Sequence, residues 1–249
     1  MFASPRPLSA IVFAAVAFVG CNKPEPAATS EPETPPYGLS ADRLSPETTT
    51  SDMFIVVEDK RMPLGTARRE MARTTLDGKD AIRFVLVQDL RQGSMYDTLW
   101  VDAATLLPMK YKNDFGELQT IRMTYGDDGH VVSNIVRGGQ TSGVDTMLTG
   151  PHFDLAEFSM VLPALPLAEG YSAEIPVFHY ERGAMTKYID VVGAQQVEYG
   201  GSMRDAWAVR DSSANASSTH YVDKENGMTL RVEAAVAPGR MFEQVARGE

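Results

Sequence analysis

Apolar segments of about four to seven residues, separated by turns rich in glycine and aspartate, limit how this chain folds more than any other feature. Residues 121–125 and 131–136 are joined by a Gly-Asp-Asp-Gly turn, whose residues accept the backbone angles of a tight hairpin. In residues 109–112, apolar and charged side chains alternate with the two-residue period of a half-buried strand. The pattern therefore predicts a mainly β, antiparallel domain.

The predicted strands form two stretches of similar size, with the middle of the domain between them. The first stretch comprises residues 54–57, 82–87, 97–101, 109–112, 121–125 and 131–136, with a turn at 76–80. The second comprises residues 173–177, 186–192, 206–210, 219–222, 229–235 and 240–245. Strands of this number, joined by short turns, are typical of a single large sheet.

A central helix is predicted near residues 154–162. Asp154, followed three residues later by Glu157, resembles a capping box, and Phe158 and Leu162 fall near one helical face. Pro163 ends the helix. An extended connection is the alternative. In a sheet protein, a lone amphipathic helix usually covers one open face of the sheet.

A similarity between two segments of the sequence, here called the echo, links the two stretches. Residues 100–111 align without gaps with residues 221–232: each segment begins with an aromatic residue, valine and aspartate, and ends with an apolar, a basic and an apolar residue. We expect Asp102 and Asp223 to cap their turns by accepting backbone N–H groups. Duplication and convergent hairpin chemistry explain the echo equally well.

Cys21 is the only cysteine in the chain and follows an apolar run at residues 8–19 that is too short to span a bilayer. With Arg6 before the run and Gly20 before the cysteine, the segment resembles the lipobox of bacterial lipoproteins. This resemblance implies a signal peptide at 1–20 and lipid attachment at Cys21. Cleavage of an ordinary secretory signal elsewhere is the alternative. Phe18 departs from the aliphatic residue usual in the box.

Residues 21–50 are predicted to be a disordered tether between the lipid and a domain at 51–249, because proline, glutamate, serine and threonine dominate this segment. An early edge strand containing Tyr37, Leu39 and Leu44 is the alternative. The formal charge of −10 argues against nucleic acid as a partner, since no basic stripe is present to neutralise phosphates. A single cysteine excludes a disulfide within the chain.

Catalytic motifs, metal-ligand spacings and cofactor loops are missing from the sequence, so we predict a noncatalytic protein without metal or cofactor. His220 with Asp223, and His152 with Asp154, are the least improbable acid–base pairs. An envelope hydrolase using two carboxylates is a third functional alternative. Its candidate carboxylates are Glu174, Glu181, Asp190 and Glu198.

A binding function requires a concave apolar surface, and large apolar residues on the predicted strands and helix are candidates to line it. An ordinary filled core uses the same kinds of side chain, so a pocket and a packed interior both remain possible. The candidate ligand-binding residues are Trp100, Met109, Tyr111, Met123, Phe158, Leu162, Trp207 and Leu230.

Three features together resemble an uncharacterised bacterial envelope family, a domain of unknown function related to the lipoprotein carriers LolA and LolB. They are the strands ending in aromatic-Val-Asp, the central segment LPALPLAEGY at residues 162–171, and the closing hairpin after Asp223. The resemblance covers residues 54–245 and implies a curved antiparallel sheet, an incomplete barrel, with a helix over its mouth.

We therefore expect a lipid-anchored envelope protein, most naturally on the outer membrane facing the periplasm, that binds a lipid, an acyl chain or an apolar peptide. An envelope scaffold with a filled core, whose partner is a protein, is the alternative.

Overall fold

A computed structural model describes residues 36–46, 48–156, 158–214 and 216–248. The predicted signal peptide, Cys21 and the tether up to residue 35 lie outside the described residues. Within them, sixteen strands form one continuous sheet. The strands are β1 Thr49–Val57, β2 Lys60–Leu76, β3 Lys79–Leu90, β4 Gly93–Asp102, β5 Pro108–Phe115, β6 Gln119–Tyr125, β7 His130–Arg137, β8 Gln140–Ser142, β9 Asp145–Met147, β10 Phe153–Asp154, β11 Ser172–His179, β12 Gly183–Tyr199, β13 Ser202–Ser213, β14 Ala216–Asp223, β15 Thr229–Ala237 and β16 Arg240–Ala246.

The sheet is open. In its strand order, the strands of the second half of the chain come before those of the first half. Its order runs from β10 through β16 and then from β1 to β8, with β9 also paired to β7. The pairings are antiparallel except for the short parallel contact between β10 and β11. Strand β10, at one edge, lies against β5, near the other edge. The sheet therefore curls strongly without closing, which confirms the predicted incomplete barrel.

All twelve predicted strands are present, but the sequence pattern missed β2. This strand has 17 residues and includes Pro63, Gly65 and a charged run from Arg68 to Glu70. Such residues disfavour a strand prediction. The structure accommodates them with a register shift opposite Met53 and Phe54, where Gly65 has no side chain to collide with the Asp89 carbonyl. Three short strands, β8, β9 and β10, were also missed.

The central helix is shorter than predicted. Helix α1 comprises Phe158–Val161 and continues into a 3-10 turn, Leu162–Ala164. Asp154 lies in β10, where its Oδ1 accepts a hydrogen bond from the Ala156 N–H at 2.9 Å, and Glu157 lies outside the described residues. The expected capping box is therefore replaced by a turn that ends a strand.

The main core lies between α1 and the face of the sheet that it covers, here called the inner face. Phe158 and Leu162 are fully buried in this core against side chains from both halves of the sheet, such as Phe84 and Val209. A smaller cluster around Leu230 and Met228 forms a second buried group. None of the helices in the described part of the chain is long and apolar enough to cross a membrane.

Part of the predicted tether is folded. Residues 36–38 and 41–43 form 3-10 turns, and β1 begins at Thr49. Leu39 and Leu44 are buried in the main core, and the Ser40 N–H donates to the Ala164 carbonyl at 3.0 Å. Neither the extended tether nor the alternative edge strand describes this segment, because its two leucines pack beside α1. The prediction of a tether reaching residue 50 is therefore wrong for residues 36–46 and 48–50.

The two aspartate turns have the same structure, and the predicted capping is confirmed. Asp102 Oδ1 accepts the N–H of Thr105 at 2.8 Å, and Asp223 Oδ1 accepts the N–H of Glu225 at 2.8 Å. Four residues after each aspartate, the N–H of Leu106 or Gly227 donates to the aspartate carbonyl, and both residues have positive φ, 61° and 71°.

The register around these turns is also shared. Ala81 pairs with Asp102, and Ala206 pairs with Asp223. Strands β3 to β5 therefore correspond, position by position, to β13 to β15. The sheet contains the same three-strand unit twice, which extends the sequence echo beyond the hairpins themselves.

Candidate functional site

The predicted ligand-binding residues do not line one cavity. Tyr111, Met123, Phe158 and Leu162 come together on the inner face, where they are buried members of the main core. Leu230 belongs instead to the second cluster. Protein side chains therefore fill most of the space beside α1, where a cavity lined by Leu44, Phe84 and Met160 measures only about 30 Å³.

Three further predicted residues are half-buried. Lys110 Nζ lies 5.8 Å from the ring centroid of Trp100, and Met109 precedes this lysine on β5. Trp207 packs against the main core and is covered by Lys224, whose Nζ lies 3.6 Å from the ring centroid.

Trp207 also lines an open cavity of about 240 Å³ beside the Asp223 turn. Leu165 and Leu167 contribute apolar surface to it, whereas Arg43 and Glu225 lie among its polar lining residues. Arg43 donates to the carbonyls of Gly38 and Ala164, and Asp223 binds Arg204. Because these charged groups already have protein partners, the cavity is chiefly the surface of a well-bonded turn.

An apolar row on the inner face is not covered by the core. Among the described residues, Ala234, Phe242, Ile55 and Met62 neither belong to the main core nor pack against it. They are direct register neighbours on β15, β16, β1 and β2. The first three are half-buried, and Met62 is 49 % exposed. We call these four residues the open strip.

Sequence reasoning missed the open strip because neighbouring positions are apolar too. Residues 54–57 read Phe-Ile-Val-Val and show no alternation, so they do not indicate which side faces inward. Only the register with β16 puts Ile55 opposite Phe242 on the inner face. No local sequence signal contains that information.

The same row continues from the open strip into a buried polar cluster. Ala234 pairs with Ser218, and Ser218 pairs with Asp211. Asp211 Oδ2 lies 2.7 Å from Lys187 Nζ and 3.7 Å from His220 Nε2. The same His220 nitrogen lies 3.0 Å from Ser218 Oγ. We call Lys187, Asp211, Ser218 and His220 the polar cluster.

Burial controls the protonation of the cluster. It lowers the pKa of His220 to about 3, aided by the positive charges of Lys187 and Arg69, so the imidazole is neutral. Burial also raises the pKa of Asp211, although the hydrogen bond and charge of Lys187 oppose this shift. Among the described residues, two buried atoms of the cluster, Asp211 Oδ1 and His220 Nδ1, find no hydrogen-bond partner.

A buried carboxylate in the first half of the sheet provides a comparison. Asp97 Oδ1 accepts hydrogen bonds from the Tyr111 hydroxyl at 2.8 Å and from Asn113 Nδ2 at 2.7 Å. Burial raises the pKa of Asp97, opposed by these two bonds. In the second half, Ser218 occupies the register position of Asp97, and Ala234, which has no side-chain donor, occupies that of Asn113.

The acid–base pairs considered from the sequence are not formed. His220 contacts Asp211 rather than Asp223, whose carboxylate binds Arg204. His152 Nδ1 lies 3.1 Å from the Gly150 carbonyl, while Asp154 accepts from the Tyr125 hydroxyl.

Two of the four candidate carboxylates have cationic partners. Glu181 pairs with Arg137 at 2.6 Å, and Asp190 pairs with Arg210 at 3.1 Å. Within the described residues, no group of three or more histidine, cysteine, aspartate or glutamate side chains is arranged to hold a metal ion.

Fold and site together define a class of protein: in the part of the chain that the structure describes, an open antiparallel sheet curls around one short α-helix and carries an uncovered apolar strip beside a largely buried polar cluster. The family model described as "Protein of unknown function (DUF3108)" matches residues 54–245, and the chain belongs to this family. The expected membership of an uncharacterised family over this range is thereby confirmed. No curated protein and no solved structure matches the chain significantly.

Proposed function

We propose that this protein is a lipid-anchored, noncatalytic envelope protein that binds an acyl chain on its open strip. The observation that carries the proposal is the uncovered row of Ala234, Phe242, Ile55 and Met62 on the same sheet face that elsewhere forms the core. Apolar side chains left half-exposed on a curved face favour an apolar ligand, because binding removes their surface from water.

The dimensions of the row fit a chain-like ligand. From Ala234 to Met62 the open strip crosses three strand-to-strand steps, which amounts to roughly 14 Å at about 4.8 Å per step. A strip of this length covers much of an extended acyl chain lying across the strands.

Two resemblances support the setting of this function. The lipobox around Cys21 supports export and anchoring by lipid, with the outer membrane facing the periplasm as the proposed location. The resemblance to the LolA and LolB carriers supports an acyl chain as the ligand. With both supports combined, the open sheet is an acyl-binding surface that the lipid on Cys21 holds at the membrane.

The binding proposal is tested with a fluorescent palmitoyl probe and the mature protein. We expect Met62→Glu to weaken probe binding about tenfold or more, because the variant places a charge in the apolar strip. Met203→Glu is the matched control, since Met203 is 59 % exposed and lies outside the strip. Absence of probe binding to the wild-type protein would refute the proposal.

The anchoring proposal has a separate test. Mass spectrometry of the mature protein should find Cys21 as its first residue and carrying fatty acyl groups, and Cys21→Ser should release the protein from the membrane fraction. A mature chain that begins elsewhere would contradict the anchor while leaving the binding site untouched.

A scaffold that binds another envelope protein is the second candidate, and the filled core beside α1 favours it. Four of the predicted ligand residues are buried members of that core. A protein that binds no acyl probe but is retained with a specific envelope protein would support this alternative.

A further inference from the structure

We propose that the ligand of the open strip has a neutral head group with an O–H donor, and that the polar cluster binds this head group. The inference rests on the proposed function, because it assigns the polar end of the same ligand. It identifies the ligand class as a single-chain acyl compound bearing free hydroxyl groups, such as a monoacylglycerol.

Position is the first argument. Asp211 and Ser218 occupy the same transverse row as the open strip, so the cluster begins where the apolar side chains end. Lys187 and Ser218 are half-buried, whereas Asp211 and His220 are buried, so a head group reaches the cluster at Lys187 and Ser218. An amphiphile lying along the row places its head group at this end.

The unpartnered atoms of Asp211 and His220 indicate which hydrogen-bonding groups the head group must supply. Asp211 Oδ1 is a buried acceptor that no donor in the described part of the chain reaches, and the residue is only 3 % exposed. Leaving such an atom without a partner is unfavourable, so a ligand that supplies an O–H gains affinity there. His220 Nδ1 donates or accepts according to its tautomer, and a hydroxyl group satisfies either state.

Charge argues for a neutral head group. The Lys187 ammonium is already paired with the Asp211 carboxylate at 2.7 Å. His220 is neutral at physiological pH. An anionic carboxylate head offers no donor to Asp211 Oδ1 and repels this oxygen, whereas a hydroxyl group donates to it.

The first half of the sheet shows how the fold satisfies such a group without a ligand. Asp97 obtains its donors from Tyr111 and Asn113. The register equivalents of these residues in the second half are Val232 and Ala234, neither of which has a side-chain donor. Asp211 itself occupies the register position of Leu86, and Ser218 occupies that of Asp97. The buried acceptor at Asp211 is therefore a specific difference between two otherwise matching units.

The test measures displacement of the fluorescent palmitoyl probe from the mature wild-type protein by three unlabelled compounds. 1-Monopalmitoylglycerol has the donors, palmitic acid methyl ester has the same chain and an ester but no donor, and palmitate is anionic. We expect the monoacylglycerol to displace the probe at about tenfold lower concentration than the other two.

A double variant, Asp211→Leu with His220→Leu, provides the matched control. Leu86 and Leu99 occupy the corresponding register positions in the first half, so the fold already accepts this pair. We expect the variant to bind the probe and to lose its preference for the monoacylglycerol.

The outcomes separate the two proposals. Equal displacement by the monoacylglycerol and the methyl ester would overturn the head-group proposal and leave acyl binding intact. If palmitate alone displaces the probe poorly, the charge of the head group rather than its donor determines the preference. That result also overturns the head-group proposal. If the wild-type protein binds no probe, the proposed function itself fails. The three-compound comparison on the wild-type protein is decisive even if the double variant does not fold.

Discussion

Arg137 Nη1 lies 2.6 Å from Glu181 Oε1, and this ion pair joins the two edges of the open sheet. Arg137 ends β7, whereas Glu181 belongs to the turn between β11 and β12. Nearby, the Tyr125 hydroxyl donates to Asp154 on β10. Side chains therefore bridge the gap that a closed barrel would fill with backbone hydrogen bonds.

The two bridges should contribute unequally to stability. Tyr125→Phe is expected to lower the free energy of unfolding by about 1–2 kcal/mol, because Asp154 is buried and loses a partner. Arg137→Ala should have little effect, since both members of its ion pair are exposed and screened by solvent. Urea unfolding of both variants checks this. An equal effect of the two substitutions would contradict it.

His220 should make the folded state sensitive to acid. Its pKa falls to about 3 on folding, so the unfolded chain binds this proton first as the pH drops below about 6.5. The stability due to neutral His220 is therefore complete above pH 6.5 and is lost toward pH 3. The expected loss is about 2 kcal/mol between pH 7 and pH 5.

Comparison with His220→Leu isolates this contribution. The raised pKa of Asp211 acts in the opposite direction, because the folded state holds that proton more tightly than the unfolded chain. Both proteins retain Asp211, so the difference between their urea midpoints across this pH range reports mainly on His220. Parallel pH profiles for the two proteins would show that the histidine has no such role.

Gly227 should tolerate alanine much less well than Gly239. Both have similar positive φ, 71° and 69°. A Cβ at Gly227 would lie 1.9 Å from the Arg43 carbonyl oxygen, whereas a Cβ at Gly239 would meet no atom of the described residues within 4 Å. We expect Gly239→Ala to cost about 1 kcal/mol and Gly227→Ala about 3 kcal/mol or more. Thermal unfolding of the two variants measures the difference, and similar losses would disprove the close approach.

Leu44 should stabilise the domain although it lies in the segment whose composition predicts a tether. It is buried in the main core, so Leu44→Ala is expected to cost about 2–4 kcal/mol. Leu118 is 53 % exposed, and Leu118→Ala should change stability by less than about 0.5 kcal/mol. Urea denaturation of the full mature chain compares them. Matching midpoints would mean that residues 36–46 do not pack on the core in solution.

Much of the fold was predictable because its signals are local. The Gly-Asp-Asp-Gly turn at 126–129 joins two strands that pair directly, and the caps at Asp102 and Asp223 form as expected. Strand β2 was not predictable, because its charged residues and Pro63 are tolerated only through its pairing with β1 and β3. The burial of Leu39 and Leu44 was also missed, since proline-rich composition does not reveal a nearby apolar surface.

The candidate site was less predictable than the fold. The sequence pattern predicts that Tyr111, Met123, Phe158 and Leu162 line one apolar surface, but it does not predict that they pack against one another in a filled core. The open strip and the polar cluster join residues as distant along the chain as Ile55 and Asp211.

By itself, the amino-acid sequence determined twelve of the sixteen described strands, their hairpin turns and the position of the lone cysteine at the end of an apolar run. Tertiary structure alone decided which apolar side chains fill the core, which remain uncovered, and that Asp211 meets Lys187 and His220. The physical reason is range: a turn or an alternating strand depends on adjacent residues, whereas burial and hydrogen-bond partners across a curled sheet depend on the register of strands far apart in the chain.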